Sequence, residues 1–145
     1  MATTEIINYI KPGASIESMN RRKVETFIAS EAIAAGDLVS LDGTQADADV
    51  ALYVTKGDSG NAADSIPVGV ALDAASAAGQ QIRVVVRGIV DANVAGATVA
   101  GNTLTLSATA GQMGVYVNTD TTRIVAVALE ADTANIATVY VYPGY

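Results

Sequence analysis

Few residues in this 145-residue chain could do chemistry, and their types narrow the choice further. Gly57-Asp58-Ser59-Gly60 has the residue order seen around a serine nucleophile. Such a serine needs an imidazole to take its proton, and the chain has no His. Lys56 could replace it only if burial stripped the lysine of its proton, yet it flanks an open Gly/Ser/Asn loop. The stretch reads as a polar hairpin loop. With no Cys either, disulfides, thiolate metal sites, Fe–S clusters and cysteine nucleophiles are excluded. Asp47-Ala48-Asp49 and Asp58…Asn61…Asp64 offer oxygens of the kind calcium takes, but the EF-hand offsets fail. Solvated turns are expected there, with a weak loop calcium site as the lesser alternative. Asp73 and Glu130 stand at matching places in a repeated pattern, which points to a structural strand-end role for both rather than separate acid and base duties. No phosphate loop or dinucleotide fingerprint can be matched, and no Trp is present to stack a sugar. The expectation is a non-enzyme with no cofactor and no metal.

What remains is surface for binding. Net charge is −7, divided unevenly: residues 1–23 carry +2 and residues 24–145 carry −9. A body this acidic repels nucleic acid and anionic membranes, so neither is an expected partner. Lys11 and the cluster Arg21-Arg22-Lys23 make the first segment basic. Its apolar residues, Ile6, Ile7, Tyr9, Ile10, Ile16 and Met19, follow no sustained period around the Pro12-Gly13 breaker. The segment reads as an extended arm over 1–23, which must lie against its own body or a neighbour. Tyr140, Tyr142 and Tyr145 place amphipathic rings at the other terminus. The candidate partner-binding residues are Tyr9, Met19, Arg21, Arg22, Lys23 and Tyr145.

The elements that must position these residues are β-strands. Half the chain is hydrophobic, but with 27 Ala, 18 Val, one Phe and no Trp, which suits thin sheets over bulky aromatic cores. No run of 18 uninterrupted apolar residues occurs, so no transmembrane helix is expected, and the first residues lack the pattern of a secretory signal. Strands are predicted at 24–29, 37–41, 51–55, 66–72, 82–90, 103–107, 114–118, 124–129 and 137–142, separated by Gly, Asn, Asp and Ser clusters. The Ala-rich stretches 31–35 and 73–78 could each form one helical turn. Nine short strands imply an all-β domain over 24–145, a small β-barrel or a sandwich.

An internal similarity refines this. Val68-Gly69-Val70-Ala71-Leu72-Asp73-Ala74 recurs as Val125-Ala126-Val127-Ala128-Leu129-Glu130-Ala131, and each copy leads to a β-rich run, Arg83–Gly88 or Thr138–Gly144. A weaker echo matches Ala35-Gly36-Asp37 to Ala110-Gly111-Gln112. Two copies are too few for a solenoid, so pseudo-duplication within one barrel or sandwich is expected.

From Val24 to Pro143 the chain resembles the capsid decoration, or cement, proteins of tailed bacteriophages. The resemblance rests on Ala34-Ala35-Gly36-Asp37-Leu38-Val39-Ser40-Leu41-Asp42, Pro67–Leu72, Arg83–Val90, the Gly111-Gln112 turn with Val115-Tyr116-Val117, and the second Val-Ala-Leu strand. It implies a small β-barrel or β-tulip with an extended terminal arm, forming a homotrimer. It also implies binding to the major capsid protein on the outer capsid surface of the virion, which stiffens the shell. Other readings are a tail- or spike-associated β-module and a lectin-like binding barrel; the latter lacks the aromatic residues to line a site.

Overall fold

The computed structural model describes residues 22–118 and 122–142. Nine strands run through them: β1 (Lys23–Ala29), β2 (Leu38–Leu41), β3 (Tyr53–Lys56), β4 (Pro67–Ala71), β5 (Gln81–Asn93), β6 (Thr103–Leu106), β7 (Met113–Val115), β8 (Ile124–Ala128) and β9 (Ile136–Val141). Each of the nine predicted strands is present, with ends shifted by a few residues. The fold is all-β, and barrels rather than a sandwich form it. Neither Ala-rich stretch is helical: Ile33 and Ala75 pair across them as an antiparallel bridge. Their backbone groups thus find cross-chain partners, which outweighs the small helix preference of alanine. The two short 3₁₀ turns lie elsewhere, at Asp47–Ala51 and Ala62–Asp64.

Strand pairing closes a ring. β1 pairs with β3, β3 with β2, β2 with β4, β4 with β5, and β5 with β1. All contacts but the parallel β1–β3 pair are antiparallel, and full closure removes free edges along most of the ring. The second half of β5 then pairs with β9, β9 with β8, β8 with β6 and β6 with β7. This second ring is closed by the parallel bridge Val94↔Met113, where Ala95 N–H donates to Met113 O at 2.8 Å. One strand therefore belongs to two barrels.

The barrels are copies of each other, and their registers coincide. Val39↔Gly69 in the first matches Leu104↔Ala126 in the second, and a bulge follows Val39 as one follows Leu104. Phe27↔Ile82 corresponds to Ala92↔Ala137, so β1 and the second half of β5 are equivalent strands. The repeat of Val68–Ala74 in Val125–Ala131 is thus a true structural equivalence. The echo at Ala110-Gly111-Gln112 is not. The counterpart of Ala35-Gly36-Asp37 is Ala100-Gly101-Asn102: Gly36 N–H donates to Ala71 O and Gly101 N–H to Ala128 O, each at 2.8 Å. Both glycines have positive φ, 90° and 87°, where a side chain would be strained. Asp37 and Asn102 then cap the same turn, accepting from Ala34 N–H at 2.8 Å and Val99 N–H at 2.9 Å.

Alternation along each strand sends one face inward. Phe27, Val39, Val54, Ile82 and Val84 fill the first barrel, and Leu104, Met113, Val125 and Val139 the second. Where the first has the Phe27–Ile82 pair the second has only Ala92 and Ala137, while Leu104 and Met113 stand in place of the smaller Val39 and Val54. Volume is thereby redistributed within each small core. Leu38, Val70 and Val85 project from the first barrel into the second barrel's cluster, which makes the two a single packed body.

The close approach at Gly69 gives a test. A Cβ there would lie 2.1 Å from Val85 O, a backbone atom that cannot move aside. Its counterpart Ala126 carries that methyl group and is fully buried. Gly69→Ala is expected to destabilise the protein by about 2–4 kcal/mol, and Ala126→Gly by about 1 kcal/mol. Urea unfolding curves would show both, and equal midpoints for the two variants would refute the asymmetry.

Candidate interaction surface

Both ends of the described chain meet at the middle of β5. Lys23 pairs with Arg87 and Val141 with Gly88, so β1 begins where β9 ends. Arg22 Nε donates to Ile89 O at 2.6 Å, a charge-assisted bond that fastens the first described residue to β5. Ile89 lies directly cross-strand from Tyr140. The rings of Tyr140 and Tyr142 are 6.2 Å apart at 37° on one face of β9, both half-buried. Arg22, the tyrosine pair, the start of β1 and the end of β9 are therefore gathered along the middle of β5.

The basic cluster is not a uniform free patch. Lys23 opens β1 and its Nζ is 2.8 Å from Glu25 Oε1, a largely exposed ion pair. Arg22 is committed to the backbone of β5. Tyr9, Met19, Arg21 and Tyr145 lie outside the described residues. A cleft of about 330 Å³ opens beside Arg22, lined by Gly36, Leu72, Asp91, Asn93 and Ile136 among others. No aromatic side chain lines it, in contrast to the stacking surface a sugar site needs.

The carboxylates are occupied in holding loops. Asp42 accepts from Ser30 Oγ, Thr44 N–H, Thr44 Oγ1 and Gln45 Nε2 at 2.6–2.9 Å. Burial alone would raise its pKa, but these bonds outweigh burial and hold the carboxyl well below the usual range. Asp64 moves the other way, raised by burial and then by the charges of Asp42, Glu31 and Asp58, which cluster at one end of the first barrel. Asp58 and Asn61, read from sequence as possible cation ligands, accept instead from the loop's own Gly60 and Ala63 N–H groups. Among the described residues no group of three or more metal-ligating side chains is placed to hold an ion.

Asp73 and Glu130 are equivalent strand-end carboxylates. Asp73 grips Arg83 through its Nε at 2.9 Å, a terminal guanidinium nitrogen at 2.8 Å and its backbone N–H at 3.0 Å. Glu130 does the same for Thr138, the counterpart of Arg83, through its hydroxyl at 2.7 Å and its N–H at 3.3 Å. Each acid ties the link after one strand to the start of the next.

No protein-family model matches this chain, and no curated protein matches it by sequence. Its fold is shared with two solved phage structures. One is the N base of the head fiber gp8.5 of bacteriophage phi29, at a TM-score of 0.58 and 16% identity over 84% of this chain and 95% of that one. The other is a chain of the capsid of Myoviridae phage XM1, at a TM-score of 0.62 and 18% identity over 86% of this chain and 85% of that one.

Sequence reasoning singled out Arg22, Tyr140 and Tyr142 separately and missed that they lie close together, which depends on β1 and β9 sharing β5. It also missed the ring-closing pairs, since parallel contacts as short as Ile28↔Tyr53 leave no mark in the sequence.

The Asp73–Arg83 pair has a pH signature. Hydrogen bonds from the Arg83 side chain and backbone lower the Asp73 pKa from the ordinary 3.8 to about 2. A depressed carboxyl stabilises the fold above its unfolded pKa, and that contribution fades as pH falls from about 4 towards 2. With side chains 35% and 63% exposed, solvent screening holds it below about 1 kcal/mol. Asp73→Asn should therefore cost stability near neutral pH, a cost that shrinks as pH falls from about 4 through 2 and vanishes below that. A stability difference that persists unchanged at low pH would show that the charge is not its source.

Proposed function

We propose that this chain is a structural virion protein that decorates the outer surface of a tailed-phage capsid and stabilises the shell, with no catalytic role. The fold it shares with a phage head-fiber base and a phage capsid chain, over more than four-fifths of its length, is the observation that carries this reading. The chemistry agrees with it: no His, no Cys, and carboxylates spent on loop and strand-end hydrogen bonds. Such a protein contributes by presenting a rigid, repeated surface many times on one lattice, where weak contacts add through avidity.

The major capsid protein is the proposed partner, and a homotrimer the proposed state on the shell. Tyr9, Met19 and Arg21 of the N-terminal segment, with Arg22 and Lys23 at its root and Tyr145 beyond β9, are the residues proposed to contact it. The +2 charge of residues 1–23 against the −9 of the remainder suits a segment that leaves its own body for an acidic surface. A head-fiber attachment module is the second reading, favoured by the match to the phi29 head-fiber base. Position on the particle separates the two: distributed over the lattice for decoration, confined to fiber attachment points otherwise.

Co-sedimentation of tagged protein with purified particles tests the proposal. A fixed, near-integer ratio to the shell protein is expected, and a protein that stays at the top of the gradient overturns it. The combined Arg21→Ala, Arg22→Ala, Lys23→Ala variant should bind more weakly at low salt and show a flatter dependence on ionic strength. An unchanged salt dependence would remove the electrostatic part.

A further inference from the structure

The two barrels are equivalent in register, so a position whose exposure changes between them marks a difference in what packs on it. Leu38, Val70 and Val85 are cross-strand neighbours on the outer face of the first barrel. All three are fully buried, because they pack into the second barrel's cluster. Their counterparts, paired in the same register, are Thr103, Val127 and Tyr140, and these are only half-buried. Leu72 packs against the same cluster, whereas its counterpart Leu129 is 46% exposed. Tyr142 extends this accessible face, its ring 6.2 Å from that of Tyr140.

The receiving end shows the reciprocal difference. Val90, Leu106, Val125 and Val141 belong to the cluster that takes Leu38, Val70 and Val85, and each of them is buried. Their counterparts in the first barrel are Glu25, Leu41, Val68 and Val86. Glu25 is exposed, and the three apolar residues are only partly buried. The chain thus presents an accessible face and an accessible end whose equivalents are already joined inside it. Both are fixed on one packed body, so they can meet only between copies. The exchanges suit a contact made between separately folded molecules. Tyr140 stands for Val85 on the face and Glu25 for Val90 on the end, and water solvates a phenol and a carboxylate until the contact forms.

We propose that the outer face of the second barrel, with Val127, Leu129 and Tyr140 at its centre, seats on the end of the first barrel of a second copy, at Glu25, Leu41 and Val86. The proposal deepens the homotrimer reading above, on which it rests only for the number of copies. A ring of three needs contact between two different patches rather than one patch paired with itself, and the chain carries two that match. The contact between barrels within the chain also fixes which residues meet. Leu72 and Val90 line one cleft. By equivalence, Leu129 of one copy faces Glu25 of the next.

Sedimentation velocity on the full-length chain in free solution tests this, without capsids, so its result stands whichever way co-sedimentation with particles falls. Wild type should self-associate, and a chain that stays monomeric up to about 1 mM overturns the proposal. Leu129→Glu sets a carboxylate against Glu25 and should weaken association about tenfold or more. Leu129 is exposed, so the variant keeps its fold. Adding Glu25→Lys to the same chain should restore association. Association that Leu129→Glu leaves unchanged overturns the proposal. Because the chain has no Cys, a Leu129→Cys chain mixed with a Glu25→Cys chain reports the contact directly. Oxidation should give the mixed disulfide in excess over both homodimers, and a statistical ratio of the three products overturns the assignment. Association that stops at two copies ends the homotrimer reading alone and leaves the contact standing.

Discussion

Everything in this structure depends on β5 serving two barrels at once. Its first half pairs with β1 and β4, its second half with β9, and no break separates them. A strand used this way must present an inward residue to one barrel and then, within a few residues, to the other. Val84 and Val85 show the consequence: both are fully buried, one inside the first barrel and one in the seam. Successive side chains point to opposite faces, so two adjacent buried valines can only mean core on both sides. Gly88, at φ 119°, stands at the handover.

The shared strand also explains why the first and last strands of the described chain end side by side. Because β1 and the second half of β5 are equivalent, the start of β1 falls beside Arg87 and the end of β9 beside Gly88. Duplication of a unit whose last strand is also the next unit's first brings the two free ends to one point. Arg22 fastens one of them, and Tyr140 and Tyr142 flank the other.

Much of this was legible in the residues. Alternation in Thr103–Leu106 and Thr138–Val141, with turn chemistry between strands, marks all nine strands, and Val68–Ala74 against Val125–Ala131 marks the duplication. The second anchor of the repeat was misplaced because Ala-Gly-polar occurs twice in the later half. Only hydrogen bonding distinguishes Gly101, which repeats the contact of Gly36, from Gly111, whose N–H donates to Gly57 O. Read in the correct register, Ala35-Gly36-Asp37-Leu38-Val39-Ser40-Leu41 against Ala100-Gly101-Asn102-Thr103-Leu104-Thr105-Leu106 would have exposed the differences at Glu31 and Gly96. The convergence at the seam had no such signal, for it arises from pairings between residues more than 50 apart in sequence, such as Lys23 with Arg87 and Gly88 with Val141.

A duplicated scaffold acquires specificity where its copies diverge. The cores differ by compensating exchanges, Phe27 and Ile82 against Leu104 and Met113, which preserve filling and say nothing of partners. The strand-end carboxylates differ in name, Asp73 and Glu130, and agree in task. The edges differ in kind. Glu31 closes the first barrel's edge at Lys56, and with Asp42 and Asp58 it lies near enough to Asp64 to raise that carboxyl's pKa, which leaves this end charged. At the equivalent place the second barrel offers glycine and exposed valines. The divergence of the copies thus falls at a strand edge, outside the cores that hold the fold.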